Sequence, residues 1–366
     1  MEFKKYYTAL FFFLFSLIMF SQNNRPQEPK APFNYNSEEV FFTNHKADNI
    51  KLSGTLTLPK NIKNPPVVIL ISGSGPQNRN EELANHKPFL VLSDYLTSNG
   101  IAVLRYDDRG TAKSEGDFNT GTSYDFSLDA EAALNYLKSR KEVDSNKIGL
   151  IGHSEGGLIA PMVASRNKDV AFIVLLAGTG VNGKIILETQ TRRAGELAGA
   201  PKNALDANEE LTNIIYGAII NNSNFELIKT EIKTGLINYK SQNPDGQFSY
   251  LINDAFINQQ INAIKSKWLQ YFIRTNPQDF LSKTNCPVLA LNGSKDFQVL
   301  PKLNLKAIEN GLKLANNKDV TIKELEGLNH LFQTAETGSS KEYGTIEETF
   351  SPKALEIIKD WILERF

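Results

Sequence analysis

Gly152-His153-Ser154-Glu155-Gly156-Gly157 sets a hydroxyl between glycines at the spacing of a nucleophile turn. It follows the apolar run Ile148–Ile151 and precedes the helix-compatible run Leu158–Ala164, so the serine is expected on a tight strand-to-helix turn. Such a turn strains the backbone at the serine and brings the residues two positions away so close that only glycine fits, a condition Gly152 and Gly156 meet. The first N–H groups of the following helix then favour developing negative charge. A serine hydroxyl is a weak nucleophile at neutral pH and needs a base. Of the four histidines, His45, His86, His153 and His330, only His330 follows Ser154. It lies just beyond the expected strand Val320–Leu325, at the end of a sheet where open α/β folds bind ligands. An acid that orients the imidazole should lie between the two, also past a strand. Asp296, in the segment Asn292–Val299 after Val288–Leu291, meets that condition, with Glu324 and Glu326 as the alternatives. Backbone N–H groups of Glu155 and of Ser74, the latter in the small-residue loop Ser72–Gln77, are the expected donors to an oxyanion.

These residues need a scaffold that brings strand ends together. Val67–Ile71, Ile101–Tyr106, Ile148–Ile151, Phe172–Leu176 and Val288–Leu291 are short apolar runs of the kind buried on both faces of a sheet. Helical stripes alternate with them: Phe89, Leu92, Tyr95 and Leu96; Phe126, Ala130, Ala133, Leu134 and Leu137; Ala354, Ile357, Ile358, Trp361 and Ile362. The alternation predicts an α/β fold with a mostly parallel central sheet and helices on both faces. Val40–Asn44 and Ile50–Leu58 precede it as antiparallel strands, the second with one wet face. Between residues 184 and 275 the strand runs stop and helical stripes take over, so this stretch is expected to be a helical cap inserted into a core of residues 38–183 and 276–366. The charged turn Asp107-Asp108-Arg109-Gly110 is expected to pin loops through local hydrogen bonds; a contact from Arg109 to an acidic substrate is the other reading.

The chain's 366 residues, 41% of them apolar and 22% charged, with a net charge of −1, describe a folded protein without the basic surface a nucleic-acid partner would require. Lys4 and Lys5 followed by an apolar run from Thr8 to Phe20 resemble a secretory signal over residues 1–22, too short to favour a spanning helix. A periplasmic or extracellular destination is therefore expected, with an uncleaved N-terminal membrane anchor as the alternative. Residues 23–37, rich in Asn, Pro, Gln and Lys, read as a mobile linker. With Cys286 as the sole cysteine there is no intrachain disulfide, and one Cys with four scattered His offers no metal-site spacing.

Together Ser72–Gln77, Asp107–Gly110, Gly152–Gly157, Asn292–Val299 and His330–Gln333 resemble the α/β-hydrolase superfamily, closest to bacterial esterases and to serine-aminopeptidase-like and dienelactone-hydrolase-like enzymes. Thr334–Trp361, and Trp268-Leu269-Gln270-Tyr271-Phe272 ahead of Asn276-Pro277, resemble one esterase subgroup. The resemblance covers residues 50–182 and 276–366. It implies an α/β-hydrolase fold, a triad at Ser154, His330 and Asp296, no cofactor, and a cap segment in which Trp268 and Phe272 line the substrate pocket. One departure is Ser72-Gly73, where many relatives carry His-Gly supporting the oxyanion loop. The expected activity is hydrolysis of a small carboxylic ester through an acyl-enzyme. Cleavage of short peptides by the same triad is the alternative, and a hydrolase fold retained only for binding is a third.

Overall fold

The computed structural model describes residues 25–366. The expected signal segment 1–22 lies outside the described residues. Eight strands form one sheet: β1 (Tyr35–Asn44), β2 (Ile50–Pro59), β3 (Val67–Ile71), β4 (Ala102–Tyr106), β5 (Ile148–His153), β6 (Phe172–Leu176), β7 (Val288–Gly293) and β8 (Val320–Leu325). The helices are α1 (Pro88–Ser98), α2 (Ser123–Lys138), α3 (Gly156–Ala164), α4 (Gly183–Leu197), α5 (Lys202–Asn221), α6 (Phe225–Gln242), α7 (Asp254–Ala263), α8 (Lys267–Arg274), α9 (Gln278–Leu281), α10 (Pro301–Leu314), α11 (Ser340–Tyr343) and α12 (Pro352–Leu363). Strand order is β1-β2-β4-β3-β5-β6-β7-β8. The first two neighbour pairs are antiparallel, and every pair from β4 to β8 is parallel.

The inner parallel strands β3 and β6 are apolar throughout because both their faces are covered, whereas the parallel edge strand β8 exposes Lys323 and Glu324. In β3, Val67, Ile69 and Ile71 join one buried cluster with Leu134 of α2, Ile159 of α3 and Leu305 of α10. Val68 and Leu70 join the other, with Phe89 and Leu92 of α1 and Ile358 and Trp361 of α12. Burial of such Ile, Leu and Val side chains stabilises by about 1.5–3 kcal/mol each, and two such layers hold the strand ends that bear the site. Helix starts are fixed locally: Thr122 caps α2 in a reciprocal capping box with Asp125, and Pro352 opens α12 at a position where proline costs no hydrogen bond.

Two expectations need correction. The segment read as a linker is docked at its start, through Arg25, Gln27 and Glu28, before residues 30–34, which are exposed. The Arg25 guanidinium donates to the carbonyls of Ile346 (2.7 Å) and Gly344 (2.8 Å), Gln27 exchanges hydrogen bonds with Thr349 and Phe350, and β1 already begins at Tyr35. Arg25 and Gln27 serve these contacts to the C-terminal loop. The polar face of β2 is not wet either, since Ser53 and Thr57 are buried. Arg79 donates to Ser53, and Thr57 bonds Thr97 of α1 at 2.6 Å, so the alternation marks a polar seam under a covering segment.

Helices α4 to α8 fall between β6 and β7, within the stretch expected as a helical insertion, and carry a core of their own including Leu211, Ile215, Ile228, Ile232 and Ile257. A separate apolar joint of Leu158, Met162, Ile186, Phe272 and Val299 seats this layer on the sheet.

The packing at the start of α3 leaves no room for a side chain. A Cβ on Gly152 would lie 2.0 Å from the Gly156 carbonyl oxygen, and one on Gly156 would lie 2.1 Å from that of Ile71. Gly152→Ala is therefore expected to cost about 3 kcal/mol or more, at the upper end of overpacking effects. Urea denaturation monitored by circular dichroism measures it, and an unchanged midpoint would mean that the turn relaxes freely.

Candidate active site

Ser154, Asp296, His330 and Ser74 all follow the C-terminal ends of parallel strands: β5, β7, β8 and β3. Parallel pairing brings these ends to one edge of the sheet, so residues far apart in sequence converge. Ser154 adopts φ +53°, a left-handed conformation rare for residues with a Cβ. Its N–H donates to the Leu176 carbonyl at 2.9 Å and its own carbonyl accepts from Gly157 at 2.9 Å, which holds the turn closed. The side chain is only half-buried, in a chain segment otherwise buried on both sides.

The imidazole and its acid are brought together. His330 Nδ1 donates to Asp296 Oδ2 at 2.7 Å, and both residues are buried. Asp296 Oδ1 accepts from the N–H groups of Gln298 (2.7 Å) and Val299 (2.9 Å), so the carboxylate cannot swing away. With Nδ1 occupied as a donor, Nε2 is left as the basic nitrogen. The alternatives Glu324 and Glu326 are both exposed and make no bond to His330 among the described residues. The Ser154 hydroxyl itself makes no hydrogen bond among the described residues. What joins its turn to the base is the preceding residue: His153 Nε2 lies 2.9 Å from the His330 carbonyl oxygen, and the two imidazole rings stand 4.8 Å apart.

The N–H groups of Ser74 and Glu155 have no protein acceptor among the described residues, as donors to an incoming oxyanion require. Gly73 packs so close to Ser154 that an added Cβ would lie 3.2 Å from the serine Cβ. Ser72 carries its loop in a way the resemblance did not anticipate: its hydroxyl donates to Asp108 Oδ1 at 2.8 Å, and the Gln77 N–H donates to Asp108 Oδ2 at 2.9 Å. Full burial pushes the Asp108 carboxyl well above the usual range despite these two bonds.

Arg109 is buried and engaged by α2. Its guanidinium bonds Asp129 at 2.7 and 2.9 Å, and Asn44 completes that carboxylate, so Arg109 pins the loop to α2.

The Glu155 side chain has a role that the sequence did not disclose. Its buried carboxylate accepts from Ser123 Oγ (2.6 Å), Ser74 Oγ (2.7 Å) and Trp268 Nε1 (2.7 Å). Burial raises its pKa, and the three donors act the other way. Trp268 of α8 thus reaches the residue beside the nucleophile, and its ring stacks on Phe272 at 5.2 Å. Phe272 itself is 4% exposed and packs against Gly183, in the joint between α4 and α8. Of the pair expected to line a pocket, Trp268 approaches the site and Phe272 supports it from behind. From the other side, Gln190 of α4 donates to Gln298 at 3.1 Å, two residues past Asp296.

An eight-stranded, mostly parallel sheet with a left-handed serine after its central strand, a histidine–aspartate pair on later strand ends and a helical layer between β6 and β7 is the α/β-hydrolase fold. Residues 48–311 match the X-Pro dipeptidyl-peptidase (S15) family, and the chain belongs to it. It is 27% identical over 290 residues to esterase EstD of Thermotoga maritima, an alignment that covers 79% of this chain and 60% of that protein. An acyl transferase of Shewanella woodyi is 31% identical over 160 residues, covering 42% of this chain and 48% of the other. The chain thus spans 60% of the length of the Thermotoga relative and 48% of the Shewanella one. Among solved structures, an esterase of Pyrococcus furiosus aligns with a TM-score of 0.52 at 16% identity, over 95% of this chain and 99% of that one. Dipeptidyl peptidase 4 of Porphyromonas gingivalis aligns with 0.52 at 15% identity, over 91% of this chain and 36% of that one. At such identities the structures speak for the fold alone.

Trp268→Phe keeps an aromatic ring to stack on Phe272 and removes the donor to Glu155 together with part of the indole's bulk. Losing a hydrogen bond to a buried ionisable group is expected to lower the unfolding free energy by about 1.5–3 kcal/mol. Chemical denaturation measures the change, and a variant as stable as the parent would show the indole N–H to be idle.

Proposed function

We propose that the protein is a serine hydrolase that cleaves small carboxylic esters through an acyl-enzyme. The observation that carries this reading is the 2.7 Å bond from His330 to Asp296 beside a serine held at φ +53°. In this reading Ser154 attacks the ester carbonyl while His330 Nε2 takes its proton. Asp296 keeps Nδ1 as the donor and stabilises the imidazolium that forms. The N–H groups of Ser74 and Glu155 hold the tetrahedral oxyanion, where prearranged donors act most strongly. His330 then gives its proton to the departing alcohol. A water, deprotonated by the same imidazole, attacks the acyl carbonyl, and the imidazolium returns that proton to Ser154 Oγ as the bond to the serine breaks and the acid is released.

The peptidase reading is favoured by the family match. A dipeptidyl peptidase must anchor a substrate ammonium with an acidic group. The Glu155 carboxylate is already engaged by three donors. In the cap, Glu196 pairs with Arg193, and Asp206 and Glu209 pair with Arg192. Arg274 is spent on the carbonyls of Ile219 and Asn222. These pairings support an uncharged ester as the preferred substrate. We also propose export, on the strength of Lys4, Lys5 and the apolar run that follows them.

A panel of p-nitrophenyl acyl esters beside X-Pro and aminoacyl nitroanilides tests the order. Faster ester turnover is expected, and faster nitroanilide release reverses the assignment. Ser154→Ala and His330→Ala are each expected to lower kcat by about 10⁴-fold or more, as in other triads. His86→Ala should spare turnover, because His86 bonds Thr349, the Tyr343 carbonyl and Gln333 and makes no hydrogen bond to Ser154, Asp296 or His330. Equal losses at His86 and His330 would misassign the base.

A further inference from the structure

Behind the nucleophile runs a buried polar chain that the reaction as drawn does not use. His153 is 7% exposed and Glu81 5% exposed. Glu81 Oε1 accepts two hydrogen bonds, from the Gly73 N–H at 2.7 Å and from His153 Nδ1 at 2.9 Å. His153 Nε2 donates to the His330 carbonyl at 2.9 Å. One file of groups therefore links the oxyanion loop, the elbow and the loop that bears the base.

The polarity of these bonds fixes where the protons are. A carbonyl oxygen only accepts, so Nε2 of His153 carries a proton. The Glu81 oxygen that faces Nδ1 already accepts from a backbone N–H. A carboxyl O–H oxygen is a poor acceptor, so the short 2.7 Å bond from the Gly73 N–H favours an unprotonated oxygen here, and Nδ1 then donates to it as well. Two protonated ring nitrogens make His153 an imidazolium. Burial works against that charge. The Glu81 charge and hydrogen bond, with the His330 carbonyl and the more distant Asp296, outweigh burial and raise the His153 pKa above its ordinary value. The other titratable ring facing His153 is that of His330, and the Phe332 ring stands edge-on with its centroid 6.4 Å away. The fold also accepts strain to keep the carboxylate here: Glu81 has φ +52°, left-handed backbone that costs a residue with a Cβ about 1 kcal/mol or more.

We propose that Glu81 and His153 form a buried carboxylate–imidazolium pair that positions both halves of the catalytic centre. The carboxylate holds the oxyanion loop through Gly73, and the imidazolium holds the base loop through the His330 carbonyl. Both are positioning residues, since the groups they hold are the ones that meet substrate. The inference rests on the hydrolase reading of Ser154, His330 and Asp296, which it deepens.

The test has a spectroscopic arm and a kinetic one. In protein labelled with ¹⁵N-histidine, with His153 assigned by its loss in His153→Asn, both ring nitrogens of His153 are expected to carry protons at pH 8. The same is expected in Ser154→Ala, and Glu81→Gln should remove one of the two protons. A singly protonated His153 ring in the parent protein at pH 8 overturns the proposal without any variant having to fold. For p-nitrophenyl acetate, Glu81→Gln is expected to lower kcat by about tenfold to a hundredfold, the scale of a small misalignment at a reacting centre. KM should stay within about threefold, as loss of alignment rather than of ground-state binding requires. A folded Glu81→Gln variant with unchanged kcat overturns the positioning role. Because the spectrum does not depend on turnover, a protein that shows the imidazolium but hydrolyses no ester contradicts the hydrolase reading and leaves the charged pair standing.

Discussion

The turn that carries Ser154 into left-handed backbone is the constraint on which the site depends. Its closure hangs on two backbone bonds, Ser154 N–H to Leu176 and Gly157 N–H to the Ser154 carbonyl. It also hangs on the absence of a Cβ at Gly152 and Gly156, where the chain passes within van der Waals contact of its own carbonyls and of Ile71. A left-handed residue with a Cβ costs about 1–3 kcal/mol, and the surrounding strands supply it. β5 is paired on both sides, by β3 and β6, so the end that bears the serine cannot shift without breaking two ladders. The reactive hydroxyl is presented on a rigid part of the molecule.

Around that turn the fold buries four carboxyl groups, and each has a task in holding a loop. Asp296 is held by two N–H groups so that it can hold His330. Asp108 closes the loop from Ser72 to Gln77. Glu155 ties that loop to α2 and to Trp268 of the helical layer, and Glu81 ties it to His153. Buried carboxylates without partners are strongly destabilising, so these loops stay fixed only while all their donors are in place. The helical layer shares in this arrangement, because one of the Glu155 donors comes from α8.

Much of this was legible in the sequence. The strands Val67–Ile71 and Phe172–Leu176 are found with the bounds read from their apolar runs, since a strand covered on both faces must be apolar throughout, and the edge strand Val320–Leu325 is also found as read although it exposes Lys323 and Glu324. The Gly-x-Ser-x-Gly spacing marked the elbow, and strand ends marked Asp296 and His330, because a parallel sheet gathers such ends on one edge. Glu81 could not be found this way. It sits in Asn80-Glu81-Glu82 with no periodicity or motif, and its meaning arises only when the loop folds over His153. The Glu155 side chain was hidden for a similar reason, as its partners Ser74, Ser123 and Trp268 lie on three separate elements. Arg25 and Gln27 looked like linker residues because docking through side chains onto backbone carbonyls leaves no compositional trace.

Labelling with a fluorophosphonate, followed by mapping of the modified peptide, measures most directly whether this turn activates its hydroxyl. The account requires one stable adduct, on Ser154 in the peptide that spans β5 and α3. Failure of the intact protein to react, or an adduct on another serine with Ser154 unmodified, would contradict it.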